Sequence, residues 1–122
     1  MLAAKLNMNL ERTKSLIHEE INIESPVKAL IHVLESTLEL INLPDNDFCW
    51  SSWGNQEDAV KEVIGLIDIL KNGGIPERIK VSVLFAPTGP LQEVSLSSGW
   101  AEAFIKVSEK YDQVEELLWH VS

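Results

Sequence analysis

Apolar side chains recur along this chain at steps of three and four, the period of a helix packed on one face. Just after Gly73-Gly74 the step shortens to two. That change sets the fold class the sequence predicts. Before it, residues 55–72 read as a helix from end to end. Asn55 is a capping residue, and Glu57 and Asp58 fall in the first turn, where the helix dipole favours negative charge. Val60, Val63, Ile64, Ile67 and Leu70 repeat at threes and fours, Lys71 lies at the negative end, and Gly73 suits the left-handed position that closes a helix. After the change, Ile79, Val81, Val83 and Phe85 alternate with Lys80, Ser82 and Leu84. Beyond a Pro87-Thr88-Gly89-Pro90 turn signal, residues 91–97 alternate again through Gln92, Val94 and Leu96. Alternation on both sides of a short turn predicts a β-hairpin over about residues 79–97.

The rest of the chain is mostly helical in pattern. Leu6, Leu10, Thr13 and Ile17 mark a helix within about residues 2–21, with Asn7 or Asn9 as its cap. Ser25 and Pro26 are a cap and a first helical residue. They open a second helix that buries Val27, Leu30, Ile31, Leu34, Leu38 and Ile41 and stops before Pro44. Val33 and Leu40 widen its apolar surface, so it should pack on two sides. Residues 47–53 alternate enough for a short strand, with Phe48 and Trp50 on one face and Cys49 and Trp53 on the other. A final helix, capped by Ser97 or Ser98 and with Asp112 as a point for a kink or break, carries Trp100, Phe104, Val107, Tyr111, Val114, Leu118 and Val121 on one stripe. The order is α-α-β-α-β-β-α. It predicts an α+β fold: a small, mostly antiparallel sheet of two or three strands covered by about four helices. With 122 residues, no internal repeat and only short breaks, the chain reads as a single α+β domain over residues 1–122.

Composition narrows the function classes. The hydrophobic fraction of 45% and charged fraction of 24% are those of a folded domain. One cysteine, Cys49, allows no internal disulfide and no cysteine-based zinc site, and its apolar neighbours suggest a buried, structural thiol. His18, His32 and His120 are far apart and in no metal-ligand spacing. No apolar run approaches a membrane span, and residues 1–10 lack the pattern of a secretory leader. The expectation is a cytoplasmic protein with no membrane contact, no metal and no cofactor. The net charge is −9, with 4 basic against 6 acidic side chains over residues 1–44, 2 against 6 over 45–76, and 4 against 7 over 77–122. Acidity spread this evenly belongs to the folded surface. It disfavours nucleic acid as a direct ligand and would attract a basic protein.

No catalytic set stands out. Ser51, Ser52, Ser95, Ser97 and Ser98 lack the G-x-S-x-G setting of a nucleophile and have no partner histidine. Gly73-Gly74 follows a helix, so it is not a phosphate loop, and Ser97-Ser98-Gly99 reads as a helix cap before it reads as an anion site. The acidic pairs Glu19-Glu20, Glu57-Asp58 and Glu115-Glu116 read as solvated helix faces. The candidate site residues are aromatic and polar. Trp50, Trp53, Trp100 and Trp119 are many tryptophans for this length, and tryptophan is enriched among interface hot spots. Trp100 also falls on a core stripe. The stiff Pro87–Pro90 turn adds Thr88 and Gln92. The leading expectation is a non-catalytic protein-binding module with an acidic surface, for instance an immunity-type inhibitor of a basic toxin or nuclease. The alternatives are a small-ligand domain or enzyme, with a pocket between sheet and helices near Trp50, Thr88, Gln92 and Trp100, and a structural protein that forms a homodimer along the last helix.

Overall fold

Helices alone order the described part of the chain. The computed structural model describes residues 10–49 and 51–119. Among these residues there are six helices and no strand: α1 (Glu11–His18), α2 (Pro26–Ile41), α3 (Gln56–Lys71), α4 (Arg78–Phe85), α5 (Pro90–Ser98) and α6 (Ala101–Leu118). α2 is central and packs against α1, α3 and α6, while α6 also carries α1, α4 and α5. None of the described helices is long and apolar enough to cross a membrane.

The long helices follow their sequence signals. Ser25 Oγ accepts the Lys28 N–H at 3.4 Å and Pro26 opens α2. Leu30, Val33, Leu34 and Ile41 are wholly buried, and Leu40 nearly so. Burying a leucine or valine side chain is worth about 1.5–3 kcal/mol, so this helix anchors the core. Its contacts on several sides match the width of its apolar surface. In α3, Asn55 Oδ1 accepts the Asp58 N–H at 2.9 Å, and Gly73 closes the end at φ 89°. Ile64 departs from expectation, because it lies on the solvent side of α3. In α6, Trp100, Phe104, Val107, Tyr111 and Val114 are all buried, as the stripe predicts, and the helix runs without a break through Asp112. Leu118 is partly buried, Val121 lies outside the described residues, and the five buried members of the stripe pack within the chain's own core.

α1 is shorter than the predicted helix in its described part, and Leu6, Asn7 and Asn9 lie outside the described residues. It has no side-chain cap of its own. Glu39 of α2 supplies one instead: its carboxylate accepts the Arg12 N–H at 2.8 Å and the Thr13 N–H at 2.7 Å. The Thr13 hydroxyl lies 2.8 Å from the same carboxylate and takes a 2.9 Å hydrogen bond from Ser36 Oγ. Free amides at a helix start are thus satisfied by a neighbouring helix, with a negative charge at the positive end of the dipole.

The α+β expectation is overturned over residues 79–97. In place of a hairpin the chain forms α4 and α5. The buried residues are Val81, Leu84 and Phe85 in α4, and Pro90, Leu91, Val94, Ser95 and Ser98 in α5, which are helical spacings. Ile79, Val83 and Leu96, half of the apparent alternation, point to solvent. Alternating apolar residues on a short helix straddle two faces, and tertiary contact chose which one to bury. Helix punctuation was present as well: Pro90 is at the first helical position, Glu93 is in the first turn, and Gly99 closes α5 at φ 87°. Gly99 is therefore the stop of α5, and the cap of α6 is Trp100, in place of Ser97 or Ser98.

The turn between α4 and α5 needs its glycine for space. A Cβ on Gly89 would lie 2.5 Å from the Val83 carbonyl and 2.9 Å from that of Ala86. The left-handed angle falls on Thr88, at φ 67°. Residues 47–49 and 51–53 also depart from expectation, forming a turn and bends in place of a strand. Their neighbours are pinned to the α5–α6 junction. Trp100 Nε1 donates to Asn46 Oδ1 at 2.8 Å, Asn46 Nδ2 donates to the Leu40 carbonyl at 2.9 Å, and the Asp47 N–H donates to Ser98 Oγ at 2.8 Å.

Candidate functional site

The packing of α4 and α5 on α6 leaves a groove of about 370 Å³. Phe85 from α4, Leu96 from α5, and Phe104 and Ile105 from α6 line its apolar part, with the polar Gln92 of α5 also on the lining. Phe85 stacks on Tyr111 with ring centroids 4.3 Å apart and planes 12° from parallel, an aromatic contact that joins α4 to α6 on this side of the groove. Leu96 and Ile105 remain 64% and 54% exposed. Each lies off the face its helix buries, so neither is needed for the core. Large apolar side chains exposed together beside a concavity are characteristic of interaction sites.

The far end of the groove is acidic, with Glu109 and Asp112 on its lining. The cations of α6 are directed elsewhere. Lys110 donates to the Glu19 carbonyl at 2.8 Å, and Lys106 lies in a separate cleft with Thr13, Lys14 and His18. Neither Glu109 nor Asp112 makes an ion pair among the described residues. Partial burial, and then the charges of Glu115 and Glu109, raise the Asp112 carboxyl above its ordinary value. A cation at this end would offset the repulsion among these carboxylates. Arg78 does not supply it, because its guanidinium is held by Glu115 at 3.3 Å. Glu115 also accepts the Tyr111 hydroxyl at 2.9 Å. Burial, then this bond and the charge behind it, push the Tyr111 phenol well above its usual range, so it stays protonated.

The residues singled out from sequence are dispersed. Thr88 and Gln92 come together, the Thr88 N–H donating to Gln92 Oε1 at 2.7 Å at the start of α5. Gln92 lines the groove, and Thr88 sits exposed on the adjoining turn. Trp100 is wholly buried at the α5–α6 junction. Trp53 is buried too, its indole N–H donating to Glu62 at 3.4 Å. Trp119 is half-buried at the end of α6, packed against the core. Trp50 lies outside the described residues. Sequence reasoning missed Leu96, Ile105, Glu109 and Asp112. The available signal was that Leu96 and Ile105 are apolar yet off the helical stripes, which becomes readable once residues 90–98 are taken as a helix.

Cys49 is exposed, contrary to the buried thiol expected from its neighbours. Its thiol is raised above the usual value chiefly by the Asp47 side chain, through a hydrogen bond and through charge. The result is a poor nucleophile for a different reason from burial. Among the described residues no three His, Cys, Asp or Glu side chains converge on a metal-binding arrangement. Comparison with known proteins found no matching family model, no similar curated protein and no similar solved structure.

Proposed function

We propose that this chain is a cytoplasmic, non-catalytic protein-binding module that holds a basic amphipathic helix of another protein in the groove between α5 and α6. The observation that carries the reading is the juxtaposition of exposed Leu96 and Ile105 with unopposed Glu109 and Asp112. A helix with apolar residues on one stripe and lysine or arginine at one end complements both parts. The charge of −9 speeds encounter with such a partner, and the apolar contacts retain it. An immunity-type inhibitor that masks a basic toxin or nuclease is one form of this module.

The test is a titration of the full chain with a short lysine- and leucine-rich amphipathic peptide, followed by tryptophan fluorescence at low and moderate salt. Binding should weaken as salt rises, and should be lost in an Ile105→Lys variant, whose exposed position leaves the fold unchanged. Equal binding by the wild type and the variant would rule the groove out. The same comparison in a pull-down from cell lysate would identify the natural partner as a basic protein captured by the wild type alone.

A further inference from the structure

α3 holds a second surface that the groove reading leaves unused. Its core face, Ala59, Val63, Leu66, Ile67 and Leu70, packs on α2. At about 100° per residue, the opposite face carries Glu57, Lys61, Ile64, Gly65 and Asp68. All are exposed. Ile64, 42% exposed, joins Val60 in lining a groove of about 700 Å³ along this helix. Gly65 sits in the helix interior, where glycine costs stability relative to alanine. A Cβ there would meet nothing within 4 Å, so packing inside the chain does not require a glycine. Lys61 and Asp68 are opposite charges on one face, and neither makes an ion pair among the described residues.

We propose that this face of α3 is the contact between two copies of the chain, paired antiparallel about a two-fold axis beside Ile64 and Gly65. In that arrangement Lys61 of each copy meets Asp68 of the other, one such pair on each side of the axis. Ile64 packs against its counterpart, and Gly65 lets the two backbones approach. The face is self-complementary, as an isologous contact requires, and this charge pattern selects a second copy as the occupant. The 16-residue helix provides about 24 Å of contact length. This inference concerns a different helix from the partner groove and does not depend on it.

The experiment is analytical ultracentrifugation of the full chain from ~1 to ~200 μM, a range that spans the affinities of modest interfaces. A concentration-dependent dimer is expected. Lys61→Asp or Asp68→Lys alone sets like charges face to face and should raise the dissociation constant about tenfold or more. The double exchange K61D/D68K should restore it to near the wild-type value. Circular dichroism confirms that each variant keeps its helices, all the changed positions being exposed. Ile105→Lys, in the other groove, should leave the dimer intact. A chain that stays monomeric throughout overturns the proposal. So does a dimer insensitive to the single exchanges, one not rescued by the double exchange, or one abolished by Ile105→Lys.

Discussion

The α2–α6 region and the α4–α5 region are both helical, yet only the first announces itself in sequence. α2 and α6 have 16 and 18 residues, long enough for an apolar stripe to repeat over several turns. α4 and α5 have 8 and 9, about two turns each. Over two turns a stripe is sampled only once or twice, and β-branched residues such as Ile79, Val81 and Val83 mimic the alternation of a strand. Isolated helices of this length are marginal in water, so α4 and α5 depend on their docking against α6. The lesson is that short apolar helices in a small domain are products of the surface they land on.

Substitutions at the junction and within the α4–α5 region put this contrast to the test. The largest effect is expected at Trp100, which joins the two regions. Trp100→Ala should cost about 3–5 kcal/mol in denaturant unfolding, because it removes a wholly buried ring and the bond to Asn46. A cost below about 1 kcal/mol would mean that the junction is not part of the cooperative core.

Gly89→Ala comes next, at about 2–3 kcal/mol, since its Cβ has no room beside the Val83 and Ala86 carbonyls. The loss should fall mainly on α4 and α5, visible as faster amide exchange there than in α2. A third experiment pits helix against hairpin. Val81→Ala should cost about 2 kcal/mol, and Ile79→Ala should stay within about 0.5 kcal/mol, because only Val81 is buried. A hairpin would place both side chains on one face and make the two costs similar.

The smallest effect is local. Asp47→Asn removes the charge and alters the bond that raise the Cys49 thiol. The thiol's pKa falls, the thiolate fraction at neutral pH rises, and labelling by a maleimide reagent should be faster, with thermal stability little changed. An unchanged labelling rate would show that Asp47 does not control the thiol. The partner groove has its own pH signature. Asp112 is raised, so on acidification it loses its charge before an ordinary aspartate would, and binding of a basic peptide should weaken as the pH falls through that range. Asp112→Asn should flatten that part of the profile.

Much of the helical core is legible in the sequence alone. The caps Ser25 and Asn55, the stop at Gly73 and the buried stripe of α6 follow from local chemistry: a side chain bonding a free amide, a glycine accepting a left-handed angle, and apolar residues repeating over enough turns to define one face. The candidate site is not legible there. Leu96 and Ile105 become surface residues only because Leu91, Val94, Phe104 and Val107 take the core positions, and Glu109 stands unopposed while Lys110 is bonded to Glu19. The order of residues was enough to specify a chain with one acidic surface and several long, capped amphipathic helices. It took the packed molecule to settle that residues 79–97 fold as two helices joined by a turn, which of the described tryptophans are buried, and where apolar and acidic side chains meet. The physical reason is that period and capping act within a few residues, whereas the choice between two faces of a short segment is made by what packs against it.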